Sequence, residues 1–348
     1  MSTTSATPVA RARRGVRGPL AVGLPLLIMV MALASSIGSV HLPLSSVASV
    51  AWAHLQGHSA SDALADQILW DIRFPRVLLA ALVGAALSVA GVVFQALVRN
   101  PLADPFVLGV ASGASVGAVL VFAFGSAAAA GLGATSAGFV TALITTGAVF
   151  ALAQRFGRIT STRLILSGVA VAYLANAITS YVQLSTKPGQ LQGIMFWLLG
   201  SLAGSTWSQL QLASIVVGLL AAWLVLRSRA LNAMAAGDDA AFGLGINVFA
   251  FRIELLVVGS LLTATVVSVA GGVGFVGLII PHVTRLLVGG DHRRVVGVSM
   301  VIGAVFLVLV DVASRTLDSP NELPIGILTA AIGAPFFLFL MRRRDTTT

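Results

Sequence analysis

The chain has 348 residues, 57% of them hydrophobic and 9% charged, with a mean hydropathy of +0.98. Soluble domains carry about 25% charged residues, so water is excluded as the main solvent. The absence of cysteine excludes disulfides, thiolate catalysis and cysteine metal sites together. The net charge of +9 calls for no nucleic acid, because in a membrane protein the placement of the charges carries the meaning.

Apolar runs near 20 residues, long enough to cross about 30 Å of hydrocarbon, recur along the whole length. They predict ten helical crossings, at 20–39, 74–98, 106–125, 136–155, 164–184, 207–226, 253–271, 275–289, 296–313 and 325–341. The eighth is short for a straight crossing. Strands of alternating polarity, as in an outer-membrane barrel, are absent from the sequence. The expected architecture is an all-α, multi-pass membrane domain over 20–341, with a basic segment 1–19 before it and a tail 342–348 after it. With both termini cytoplasmic, all Lys and Arg except Arg73, Arg76, Lys187 and Arg315 fall inside. That asymmetry matches the positive-inside rule and an even number of spans. The first run also has the charge pattern and small-residue site (Ala32-Leu33-Ala34) of a signal peptide. Cleavage there would leave nine spans and break the charge agreement.

In chain order, the first polar pair is His54 and His58. Their spacing suits a metal or haem iron on a helix, but Gly57 between them weakens a helix, so a solvated outer loop is the expectation. Gly109, Gly113 and Gly117 stand four apart, a pattern that lets helices approach closely. Tyr173, Asn176, Ser180 and Gln183 stand at offsets 0, 3, 7 and 10, one stripe on a helix. Polar groups in hydrocarbon face another helix or a cavity, so the stripe reads either as interhelical hydrogen bonding or as a solute pathway.

The longest polar interruption runs from Arg227 to Arg252. It predicts one or two short helices, with Leu231, Met234 and Ala235 as an exposed apolar patch, broken by Gly237, Asp238 and Asp239. Apolar residues rimmed by charge predict a docking surface for a cytosolic partner. Next, Gly272, Gly274 and Gly277 spell G-x-G-x-x-G, a dinucleotide-binding fingerprint that counts only in a βαβ unit. Between two apolar runs it predicts a helix break instead, of the kind buried in transporters. His282 reads as a packing residue, and Asp311 and Arg315 as an i,i+4 ion pair. No G-x-x-x-x-G-K-[ST] loop is spelled, and no catalytic constellation or metal site is expected, so the chain is expected to be neither an ATPase nor another enzyme.

The blocks "IRFPR", "GAALSVAGVVFQALVRNPLADPFVLGVASGASVG", "LNAMAAGDDAAFGLGI", "GGVGFVGLIIPHVTRLLVGGDHRR" and "ELPIGILTAAIGAPFF", in that order over roughly 70–341, strongly resemble the iron-chelate and cobalamin ABC-importer permeases. The resemblance implies a ten-helix subunit of a bacterial plasma-membrane importer, paired with a second permease copy as a homodimer or with a close relative as a heterodimer. Two cytosolic ATP-binding subunits carrying ATP and Mg, and an extracytoplasmic binding protein, would complete it. It implies that Arg73, Arg76 and Arg315 dock acidic residues of the binding protein. It implies that 231–245, including Leu231, Met234, Gly237, Asp238, Asp239 and Leu244, couples to the ATPase. Asn100, Leu102, Ser161 and Thr162 would form a cytoplasmic gate, and Tyr173, Asn176, Ser180 and Gln183 would line the pathway. Iron–siderophore, haem and cobalamin permeases share these blocks; the expected solute is an iron chelate, with cobalamin as the alternative. A secondary transporter, the rival from another class, would need an intramembrane carboxylate for coupling, and Asp311 is the candidate.

Overall fold

The computed structural model describes residues 17–345 except 39, 130, 156 and 157. Arg11, Arg13 and Arg14, most of the predicted basic segment and the end of the tail lie outside the described residues. The elements are α1 (Arg17–Ser36), α2 (Leu44–Leu55), α3 (Ala63–Asp66), α4 (Phe74–Val98), α5 (Val110–Phe124), α6 (Ala134–Ala153), α7 (Ser161–Leu184) and α8 (Pro188–Leu199). There follow α9 (Trp207–Leu226), α10 (Ser228–Ala236), α11 (Asp238–Gly243), α12 (Val248–Ala270), α13 (Val276–Val288), α14 (His292–Thr316) and α15 (Ile325–Asp345). The fold is all-α; among the described residues the one ribbon pairs Gln154–Arg155 with Arg158–Ile159. Seven helices are long and apolar enough to cross a membrane, and α5, α13 and the apolar part of α15 are shorter apolar helices. Each predicted span falls on a helix.

Helix ends follow local chemistry. Thr206 and Gln209 form a capping box at the start of α9, and Asn247 and Asp291 accept from backbone N–H groups at the starts of α12 and α14. These contacts satisfy donors that a helix start leaves without an internal partner.

A π-helical turn, Gln67–Arg73, joins α3 to α4, making one helix over Ala63–Val98. That helix is the axis of the domain: its most apolar window is 83% buried, against 22% for α7. It is sheathed by α9, α12, α13 and α14. Lipid tails are as apolar as these side chains, so close packing rather than water exclusion must hold the sheath. Glycines provide that closeness. A Cβ on Gly84 would lie 2.1 Å from the Gly303 carbonyl oxygen, and one on Gly91 would lie 1.9 Å from that of Gly277.

The glycine fingerprint is a helix break, as its setting predicts. Helix α12 ends at Ala270, and Gly271 takes φ 70°, a conformation other residues rarely adopt. A Cβ there would lie 2.0 Å from the Trp197 carbonyl oxygen. The break receives two other chain segments: Ser201 N–H donates to Ala270 (2.9 Å) and Ile325 N–H to Gly200 (2.9 Å). Beyond it, Pro281 lacks the N–H that would bond the Gly277 carbonyl four residues back. Gln95 Nε2 of α4 donates to that carbonyl instead, at 3.1 Å.

Two elements depart from the sequence reading. The segment holding His54 is helical: α2 ends before Gly57, which takes φ 82° past the helix end. Its inner face buries Val47 and Val50 against Leu69. The 12-residue α8, too short to register as a span, was not foreseen.

Candidate functional site

Helix α7 carries the polar stripe. Tyr173, Asn176 and Ser180 are exposed and Gln183 is half-buried. None of the four side chains makes a hydrogen bond among the described residues, so interhelical bonding within this chain does not account for the stripe. Around it Leu166, Leu174, Ile178, Tyr181 and Leu184 are also exposed. The opposite face buries Leu164, Gly168, Ala175, Thr179 and Val182. The glycine stripe has the plainer role. Positions for a Cβ on Gly113 and Gly117 fall 2.2 Å from Thr145 Oγ1 and 2.3 Å from the Ala137 carbonyl oxygen of α6, so these glycines pack helices. Gly109 instead caps α5 with φ 77°.

At one end of the bundle lie the residues expected to form a gate. Asn100 and Leu102 are exposed in the loop after α4, with Asn100 Oδ1 accepting from Leu102 N–H at 3.0 Å. Ser161 and Thr162 open α7. Asp104, in the same loop, accepts from the N–H groups of Phe106 (2.8 Å) and Phe275, which ties the loop to the glycine break. Burial pushes its carboxyl up to about 6, the two N–H bonds pulling the other way. The folded protein then holds this proton more tightly than the unfolded chain, whose carboxyl titrates near 3.8. Asp104's contribution to stability therefore falls as pH rises from about 4 to about 6 and is flat above. Asp104→Asn keeps an acceptor and loses the titration. The expected result is a flatter pH profile of melting temperature than wild type over that window, read by thermal denaturation in detergent.

The same end carries α10 and α11, separated by Gly237 at φ 123°. Two short helices broken there agree with the sequence reading, but of the predicted apolar patch only Ala235 is exposed. Leu231 and Met234 are fully buried, because α10 turns that face onto the bundle. The large exposed apolar residues are Leu244 and Phe242, at 73% and 78%; the sequence reading did not single out Phe242. Asp239 is exposed, whereas Asp238 pairs with Arg252 (2.9 Å) and Arg99 (3.4 Å).

At the other end the three outer arginines converge, but not as free cations. Arg73 and Arg76 are buried, and the Arg315 side chain is 8% exposed. Arg73 donates to the carbonyls of Ser35 (2.7 Å), Ser36 (3.0 Å) and Val40. Arg315 donates to those of Ala34 (3.2 Å) and Ile37 (3.1 Å). The two guanidiniums thus cap the carbonyl end of α1, where a helix has acceptors to spare and favours positive charge. Arg76 Nε bonds Asp311 at 2.9 Å, and its terminal nitrogens grip Glu322 bidentately at 2.7 and 2.9 Å. The expected Asp311–Arg315 pair is present at 3.1 Å. Glu322 escaped the sequence reading because it lies far along the chain from Arg76.

His54 is a structural tie. Its Nε2 meets Asp66 at 2.8 Å and its ring stacks on Trp70 at 3.7 Å. His58 Nδ1 bonds the Ala53 carbonyl at 2.6 Å. Among the described residues no group of three His, Cys, Asp or Glu is placed to hold a metal.

Known proteins resemble this chain in sequence and in fold. The family model of the FecCD transport family matches residues 26–343. An ABC transporter permease of Bacillus subtilis, YvrB, is 42% identical over 93% of both chains. The Halobacterium salinarum cobalamin import permease BtuC is 43% identical over 81% of this chain and 75% of its own. The Bacillus subtilis iron(3+)-hydroxamate import permease FhuB is 38% identical over 93% and 83%. A solved metal-chelate type ABC transporter in an inward-facing conformation superposes with a TM-score of 0.81 at 32% identity, covering 93% of this chain and 98% of that one. With its buried axial helix, broken helices and open polar stripe, the chain belongs to the FecCD transport family and is a multi-pass membrane permease of the ABC-importer class.

Proposed function

We propose that this chain is the membrane-embedded subunit of an ATP-driven importer of an iron chelate in the bacterial plasma membrane, with both termini cytoplasmic. A second copy faces it across the α7 stripe. Two cytosolic ATP-binding subunits, which bind ATP and Mg, engage α10 and α11, and an extracytoplasmic binding protein delivers the solute to the arginine end. The observation that carries this reading is the exposed polar stripe of α7, whose side chains find no hydrogen-bond partner among the described residues; burial against lipid would leave them unsatisfied. Exposed Leu244 and Phe242 support a docking role for the α10–α11 segment. ATP hydrolysis below would shift the balance of inward and outward states, opening and closing the pathway at Asn100, Leu102, Ser161 and Thr162.

Docking on the arginine end takes the form of an exchange. Glu322, with its side chain 36% exposed, already occupies Arg76 as a carboxylate would. An acidic residue of the binding protein takes its place on the guanidinium fork, a geometry that planar carboxylates match. Ion-coupled transport is disfavoured by the surroundings of Asp311. That carboxylate is fully buried and paired with both Arg76 and Arg315, so the candidate coupling carboxylate is taken up in structural ion pairs.

The test is uptake in liposomes containing the permease, its ATP-binding subunits and its binding protein. Ferric siderophore, haem and cobalamin are offered in turn. ATP-dependent uptake of a ferric siderophore or haem is the expected result. Uptake of cobalamin alone would favour the second reading, which the halobacterial relative supports. Uptake that follows an ion gradient and ignores ATP would overturn both.

A further inference from the structure

A cavity of about 400 Å³ opens beside α10, among Gln95 and Arg99 at the end of α4, His282 and Arg285 of α13, His292 of α14, and Ala235 of α10. Among the described residues no carboxylate lines it. The nearby acids are engaged elsewhere. Asp238 is shared between Arg252 and Arg99, and Asp291 accepts from Asn232 Nδ2 (2.7 Å) and Arg293 N–H. Arg285 is the telling residue. Its guanidinium makes one hydrogen bond among the described residues, to the neutral amide oxygen of Gln95. A half-buried cation without a counter-charge among the described residues carries a desolvation cost, and here it borders open volume.

We infer that this cavity is a binding site for a phosphate-class anion, either a free phosphate or the headgroup of an anionic phospholipid, held between Arg285 and Arg99. Guanidinium forks suit phosphate oxygens, and two forks from different helices suit a tetrahedral anion, which offers acceptors in more than one plane, better than a planar carboxylate. The site also has a mechanical consequence. Asn232 of α10 accepts from the backbone N–H of His292 at 2.8 Å and bonds its Nδ1 at 2.8 Å. A bound anion therefore fastens the ends of α4 and α13 to the wall that holds α10.

The experiment uses the full chain without partner subunits, in nanodiscs of phosphatidylcholine, titrated with inorganic phosphate at constant ionic strength set by chloride. Melting temperature is read for wild type, Arg285→Gln and Arg99→Gln, and each titration is repeated in discs containing phosphatidylglycerol. A saturable rise in wild-type melting temperature with phosphate, weakened at least tenfold in apparent Kd in Arg285→Gln, is the expected result and assigns a free anion. A rise produced by phosphatidylglycerol and not by phosphate, lost in the same variant, assigns the same site to a lipid headgroup. Arg99 is exposed and keeps the test alive if Arg285→Gln fails to fold, because Arg99→Gln must then weaken the response. The inference is overturned if neither anion source stabilises the wild type, or if both variants respond as wild type does. A stabilisation that appears only when the ATP-binding subunits are added overturns it too, since the cavity would then receive a protein side chain.

Discussion

Gly91→Ala and Gly84→Ala are each expected to remove the folded permease, seen as loss of the monodisperse peak in detergent gel filtration. Both replace one hydrogen by a methyl group, yet that methyl meets backbone. On Gly91 it falls 1.9 Å from the Gly277 carbonyl oxygen, and on Gly84 2.1 Å from that of Gly303. Overpacking by a methylene in an ordinary core costs about 1–3 kcal/mol because side chains yield. Here the obstacle is the main chain of α13 and α14, and relief requires the helices to separate. Separation at Gly91 also breaks the bond by which Gln95 satisfies the Gly277 carbonyl that Pro281 leaves open. In lipid no hydrophobic force re-forms the contact at a longer distance. Gly218→Ala is the control: a Cβ there meets nothing within 4 Å, it lies in α9, and it should be neutral or gain about 1 kcal/mol from helix propensity. Normal yield of all three variants would show that the glycine crossings do not hold the axis helix.

The spans were legible because hydrocarbon imposes a length, and about 20 apolar residues satisfy it whatever the tertiary context. The glycine fingerprint was legible for a related reason: between two apolar runs its only tolerable form is a break. The α7 stripe was legible because one helical period gathers Tyr173, Asn176, Ser180 and Gln183 on one face. Helices α2 and α8 were hidden, since 12 residues are too few to cross and Gly57 obscured the end of α2. Burial was the harder quantity. Leu231 and Met234 sit in a polar stretch, where a local reading puts apolar residues on the surface, but α10 turns them onto the bundle. Counting charges grouped the outer arginines at one end, and in the fold they do converge. Of their partners, Asp311 was recoverable for Arg315 because it lies one helical turn away, whereas Glu322 lies 246 residues from Arg76 and the Ser35 carbonyl 38 from Arg73.

Asp311→Ala is expected to cost about 3–5 kcal/mol, the range for removing one partner of a buried ion pair, measured by SDS-titrated unfolding of the purified chain. The carboxylate is fully buried and holds Arg76 Nε at 2.9 Å and Arg315 Nε at 3.1 Å. Its loss leaves Arg76 with Glu322 as its carboxylate partner and Arg315 with backbone carbonyls only, those of Ala34, Ile37 and residue 311 itself. The Ala34 and Ile37 carbonyls end α1, so the damage should spread to the packing of α1 on α14. Asp311→Asn keeps the shape and removes the charge, and should be nearly as damaging. In Asp311→Ala/Arg315→Ala the two losses should sum to less than their separate costs, because each removes the other's burial penalty. Glu322→Gln separates fold from docking. Its carboxylate is partly exposed, so the fold should survive, while the competitor for Arg76 is weakened. If docking is an exchange of carboxylates on Arg76, the binding protein should then bind more tightly, and the gain should shrink with added salt. Unchanged or weaker binding in Glu322→Gln, with the fold intact, would mean that Arg76 holds the loop before α15 and takes no part in docking.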